Sequence, residues 1–335
     1  MKKKLLKKRY LIVLLYTIAT SVMMQAQIWT QKSTGFPTGD IAFHTSIAND
    51  NVIWTITYQS NPTQQFSKSI DGGNTWTAGS FGLPNTFIPF GITARSATKA
   101  WMCGHDGNNH ANTGVYVTVD GGTTWTKQVT ALFNDANSYP DNIRFFDDNN
   151  GIVQGDPIAG GSFEIYKTSD AGITWVRVPN ANLPTCLAGE FGTDGLFDAT
   201  PDGSTLWFAS TSGTTWLNRL YKSVDYGTTW TVADLSVSIP FSFTFKNATT
   251  GYIVGRVGSV LSVLKTVDGG TTFSNITTTA SGLPSLSGPP IVKVIPNTNT
   301  LIYAEAGTIG RTYFNNNPDS EVGIYLVIKL KRFIV

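Results

Sequence analysis

Three groups of ionisable residues stand at spacings that could do chemistry. Cys103-Gly104-His105-Asp106-Gly107-Asn108-Asn109-His110 gathers two of the chain's three histidines beside a carboxylate. Imidazole and carboxylate both bind zinc and other divalent ions, but such a site needs a third or fourth protein donor and none is identifiable. The segment therefore reads as a solvated loop, and neither metal nor cofactor is expected. In Gln154-Gly155-Asp156-Pro157 the proline stiffens the turn beside Asp156. Pairing Asp156 with Glu190, Asp194 or Asp141 would make the two-carboxylate arrangement of glycoside hydrolysis, although an aspartate that caps its own turn is the commoner use. The third group is Asp71, Asp120, Asp170, Asp225 and Asp268, one in each copy of a repeated octapeptide.

The fullest copy is Thr118-Val119-Asp120-Gly121-Gly122-Thr123-Thr124-Trp125. The others begin at Ser69, Thr168, Ser223 and Thr266. Their closing aromatics, Trp76, Trp125, Trp175, Trp230 and Phe273, lie 49, 50, 55 and 43 residues apart. That period is the length of one four-stranded propeller blade. Alternating apolar and polar runs such as Gly114-Val115-Tyr116-Val117 precede each copy and others follow, so the octapeptide reads as the turn of a β-hairpin. Within it the carboxylate accepts backbone N–H groups, the glycine two positions on takes a positive φ, and the aromatic ring packs between neighbouring sheets. Five carboxylates repeated because blades repeat are structural, not catalytic.

The pattern Ser/Thr-x-Asp-x-Gly-x-Thr-Trp resembles the Asp-box of the bacterial-neuraminidase-repeat propellers. That group holds sialidases, sortilin-type receptors, xyloglucan-cleaving hydrolases and propellers similar to photosystem II assembly factors. The resemblance implies a propeller whose boxes lie away from the ligand face. A sialidase of this kind would need an Arg-Ile-Pro, three arginines gripping a carboxylate and a Tyr/Glu pair. The chain has no Arg-Ile-Pro, and Arg144, Arg256 and Arg311 are its only possible trio. The resemblance is closest to the assembly-factor-like and sortilin-like secreted propellers, which bind and do no chemistry.

Residues 1–26 read as a secretory signal. Six basic residues from Lys2 to Arg9 precede an apolar core from Leu11 to Val22, and Met24-Gln25-Ala26 precedes a cut before Gln27. A secreted or cell-surface location follows, with no other membrane segment. The chain holds 24 Lys and Arg against 22 Asp and Glu, so without the signal it carries 18 against 22. A mildly acidic product attracts neither nucleic acid nor an anionic membrane. Charged residues are only 14% of the chain, which suits a secreted all-β surface.

Full repeats are expected at about 36–80, 86–130, 138–180, 188–234 and 239–278. A sixth unit starts at Ile291 to Ile295 and reaches Gly323 to Ile328, with its box lost, so the last blade is degenerate or truncated. Ile28-Trp29-Thr30 mimics the strand after each box, and the expected fold is a six-bladed all-β propeller, seven being the alternative, whose last blade the N-terminal strand closes. Residues 27–335 then form one domain, expected to be a monomer. Cys103 and Cys186 fall in different blades and are expected as free or buried thiols.

In an up-and-down propeller the loops between second and third strands share a face with the crossings between blades. His105, Asp106, His110, Asp156, Trp216 and Arg256 are assigned to that loop face. Trp216 is the one tryptophan there not explained as core. The expected function is the binding of a protein or glycan without catalysis, the rival being a glycoside hydrolase that uses Asp156, Glu190 or Asp194 with the three arginines.

Overall fold

The computed structural model describes residues 34–36, 41–58, 65–158, 161–276, 290–294, 301–305, 310–315 and 328–330, the last four stretches by their backbone. All belong to the compact unit Lys32–Val335. The chain is an all-β propeller. Six four-stranded antiparallel sheets are present among the described residues, each formed by four strands taken in chain order. The fourth sheet is typical: Glu190–Ala199, Leu206–Ser212, Asn218–Ser223 and Thr231–Asp234. First strands of successive sheets pack against one another: Ile41–Ile47, Phe87–Ala94, Pro140–Phe145, Glu190–Ala199, Ile239–Phe245 and Pro290–Val294.

The octapeptide makes the same corner five times, between the third and fourth strands. Its opening Ser or Thr hydroxyl donates to the aspartate at 2.7–2.9 Å and accepts the glycine N–H four residues on at 2.8–2.9 Å. The aspartate also accepts the N–H of the Thr four residues on, at 2.8–3.0 Å. Side-chain hydrogen bonds from Thr75 and Thr124, with backbone bonds beside them, hold Asp71 and Asp120 down at about 2. The carboxylates are consumed by their own turns, as charge-assisted acceptors. The residue just after each aspartate is left-handed as well: Gly72, Gly121, Ala171, Tyr226 and Gly269 have φ of 69, 79, 65, 59 and 73°.

The corner also ties one sheet to the next. Trp54, Trp101 and Trp207, on second strands, donate their indole N–H to Ser96, Ala171 and Gly269 carbonyls in turns of the following sheet, at 3.0, 3.1 and 3.0 Å. Trp101 stacks on Phe145 at 3.6 Å, and Trp207 on Phe245 at 3.7 Å. Trp125 closes the second octapeptide and meets Trp54 of the first sheet edge-on at 6.2 Å. A lysine before the octapeptide adds a polar tie: Lys68 donates to the Gly121 carbonyl at 2.8 Å, and Lys167 to the Thr228 hydroxyl at 2.6 Å. Four apolar clusters fill the spaces between the first five sheets, each drawing on both neighbours. Cys103 and Cys186 are free thiols in different clusters.

The sixth sheet departs from expectation. Its third strand is Gly310–Asn315, not the run 323–328, and its fourth is Ile328–Leu330, not the N-terminal segment. This unit has no octapeptide to mark the end of its third strand, and residues 323–327 lie outside the described residues. Trp29 and the segment 1–26 lie outside the described residues. Thr34, five residues after Trp29, accepts the Trp76 N–H at 2.8 Å. Thr130, five residues after Trp125, accepts the Trp175 N–H through its side-chain hydroxyl at 2.9 Å, where Thr34 uses its backbone carbonyl.

Truncating Trp207 removes a stacked, fully buried ring and its hydrogen bond. Trp207→Ala should lose about 3–5 kcal/mol in urea unfolding. Asp71 and Asp120 have folded values below the unfolded one of about 3.9, so the stability they contribute is present above pH 4 and lost as pH falls toward 2. An Asp71→Asn/Asp120→Asn variant should accordingly lose less of its melting temperature than the parent between about pH 5 and pH 2.5.

Candidate functional site

The hairpin Leu206–Ser212 and Asn218–Ser223 carries an octapeptide at one end and the turn 213–217 at the other. That turn is tightly held. The Ser212 hydroxyl accepts the Thr214 and Thr215 N–H groups at 3.3 and 3.0 Å and donates to the Ala188 carbonyl at 2.9 Å. Gly213 N–H donates to the Gly189 carbonyl and Trp216 N–H to the Ser212 carbonyl, both at 2.8 Å. The result is Trp216 at φ 58°, 75% exposed. A left-handed conformation costs a bulky residue about 1–2 kcal/mol, and so large an exposed ring returns nothing by packing. Phe191, 43% exposed, lies next to Gly213.

Beside Phe191 the first two strands of the third sheet, Pro140–Phe145 and Gly151–Ile158, and the first strand of the fourth hold a polar network. Asp156 accepts the Gly192 N–H at 2.6 Å and is hydrogen-bonded to Asp141. Its own N–H donates to the carbonyl of Tyr139, another partly exposed aromatic. Gln154 donates to Asp141 at 3.1 Å and accepts from Asn142 at 2.8 Å. Gly192 has no room for a side chain, since a Cβ would come 2.3 Å from the Asp141 carboxyl. Burial raises Asp156 to about 6, against the lowering effect of its bonds from Gly192 and Asp141. Two carboxyls in hydrogen-bond contact share a proton. They stand closer than the roughly 5 Å that separates even a retaining glycosidase pair.

The other residues named from sequence are scattered or committed. Glu190 is buried and fully partnered: an ion pair with Arg219 at 3.0 Å, hydroxyls from Ser210 and Tyr221, and the Leu187 N–H. The Cys186 thiol, under Tyr221, is pushed up to about 11 by burial and by Glu190. Asp194 lies where the register of its strand breaks between Gly192 and Phe197. Asp106 is buried; desolvation pushes it up, but bonds from Asn112, Thr86, Asn108 and Asn109 prevail and hold it at about 2. His105 packs on Tyr139 with ring centres 4.0 Å apart and on His110 at 5.6 Å. Burial, then the neighbouring His110, lowers the His105 pKa, so its ring is kept neutral. Among the described residues no three His, Cys, Asp or Glu side chains converge as metal ligands.

The arginines do not form a trio. Arg144 pairs with Ile152 one step from the turn 146–150, at the octapeptide end of its sheet. Arg256 sits at the opposite end of its own sheet and donates to the Ser259 carbonyl at 2.8 Å. Arg311 is described by its backbone, in the strand Gly310–Asn315. Arg144 thus lies at the octapeptide end of its sheet and not on the loop face expected for the trio. Phe191, Tyr139, Gln154 and Asn142 were missed, and nothing in their local sequence separates them from ordinary strand residues.

No protein-family model matches the chain, and no curated protein matches it. Solved structures do match in fold. A GH74 xyloglucanase from Xanthomonas campestris is 12% identical with TM-score 0.59 over 88% of this chain and 48% of that one. The chain thus spans about half the length of that enzyme. YCF48 from Cyanidioschyzon merolae is 16% identical with TM-score 0.56, over 85% and 84% of the two chains. U3-55K is 10% identical with TM-score 0.55, over 89% and 84%. At such identities the likeness is one of propeller architecture. Among the described residues no helix is long and apolar enough to cross a membrane.

Asp156 has a folded pKa above its unfolded one, so its stabilising protonated form is complete below pH 4 and lost as pH rises through about 6. Asp156→Asn should flatten the dependence of stability on pH in that window. A carboxyl-carbon NMR titration should find a midpoint near 6, and one near 4 would contradict the shared proton.

Proposed function

We propose that the chain is an exported Asp-box propeller acting as a non-catalytic binding module, a monomer that holds a protein or a glycan on its loop face. The observation that carries this reading is Trp216, presented three-quarters exposed and left-handed by a turn whose backbone groups are bonded down. Exposed tryptophans on rigid turns are anchors of protein interfaces and platforms for sugar rings alike. Phe191 and Tyr139 extend the aromatic surface, and the network under them fixes their backbone without offering a free nucleophile. The N-terminal basic and apolar segment supports export.

One observation favours the rival, a glycoside hydrolase of sialidase-like or xyloglucanase-like kind. Asp156 keeps its proton up to about pH 6, as a general acid must. Against it stand the direct contact of Asp156 with Asp141, the commitment of Glu190 to Arg219, and arginines at opposite ends of their sheets.

A panel of chromogenic glycosides should show no turnover above that of Asp156→Asn. Turnover that this change abolishes would establish the enzyme instead. A glycan array and a protein-ligand screen with the parent should yield a binder whose affinity falls about ten-fold or more in Trp216→Ala, with the melting temperature unchanged or raised.

A further inference from the structure

A second open place lies at the octapeptide end of the same hairpin. A cavity of about 710 Å³ opens there between the third and fourth sheets, with Phe146 and Val178 as apolar lining and Tyr226 among its walls. Tyr226 occupies the left-handed corner position, φ 59°, that is glycine in the first, second and fifth octapeptides. A ring there costs about 1–2 kcal/mol. It is 55% exposed and has no aromatic partner among the described residues, so packing does not repay the strain.

The polar lining carries both signs. Arg177 has a buried Nε–H with no partner and Lys167 a single hydroxyl partner in Thr228, leaving donors open. Asp202 bonds its own turn through Oδ1, and bonds from Thr200 and Ser204 keep it below the usual carboxylate range and ionised. An anion entering the cavity would meet three carboxylates, those of Asp147, Asp170 and Asp202, and a cation would meet Lys167 and Arg177. A neutral polyhydroxylated ligand meets neither objection. Each hydroxyl both donates and accepts, and the C–H face of a sugar ring can lie on an exposed aromatic. The volume falls in the ordinary range of ligand sites.

We propose that this groove binds a short neutral oligosaccharide, with Tyr226 as its stacking platform, independently of the loop face around Trp216. The test is isothermal titration of the full chain with cellotetraose, chitotetraose and maltotetraose. At least one should bind the parent and bind Tyr226→Gly about ten-fold or more weakly. Glycine is native to this corner in three other repeats, so that variant should melt at or above the parent's temperature, and Trp216→Ala should keep the affinity. Arg177→Gln should weaken binding too. Equal affinity in Tyr226→Gly, or no binding of any of the three sugars by the parent, would overturn the groove. Loss in Trp216→Ala alone would place the sugar on the loop face, overturning the groove while leaving the loop-face reading in place.

Discussion

Each corner of the propeller depends on one ionised aspartate that accepts hydrogen bonds from its own turn. The carboxylate binds a hydroxyl ahead of it and a backbone N–H behind it, which bends the chain into two successive left-handed residues and points the closing aromatic into the space between sheets. Protonating the carboxylate would weaken it as an acceptor, and the N–H of the Thr four residues on would lose its charge-assisted partner. The corner's carbonyls then become available to the preceding sheet. The indoles of Trp101 and Trp207 and the ammonium of Lys68 reach across to them. Sheet cohesion therefore rests on polar ties at the octapeptide end and on stacked rings below them.

This arrangement frees the other end. Loops there are held by local bonds, such as those of Ser212, above the bond from Gly192 to Asp156 that ties the third and fourth sheets. The non-glycine residues with positive φ among those described are Ala171, Trp216 and Tyr226, and the two aromatics are both largely exposed on the fourth sheet. Strain kept without packing return points to contacts made with something outside the chain. One of these rings faces each end of a single hairpin.

Much of this was legible in the sequence. The octapeptides sit at one-blade spacing, and an Asp, a Gly and an aromatic at set offsets describe a turn and its packing. Where the repeat fails, so does the reading, as in the sixth sheet, whose strands could be placed only by pairing. Partners distant in sequence were equally hidden. Glu190 seemed a candidate acid because its ion pair with Arg219 forms across strands 29 residues apart. Two signals lay in the sequence itself: Lys68, Lys167, Lys222 and Lys265 each stand immediately before their octapeptide, and Tyr226 stands where three of the five copies have glycine.

The central claim is that the five corners are equivalent structural joints, closed in the native state and opened only when the sheets separate. Native-state hydrogen exchange at the amides of Gly73, Gly122, Gly172, Gly227 and Gly270, each bonded to a Ser or Thr hydroxyl, addresses it directly. All five should exchange with one common free energy, equal to that of global unfolding and with the same denaturant dependence. Exchange at any corner by small local opening, insensitive to denaturant, would contradict it.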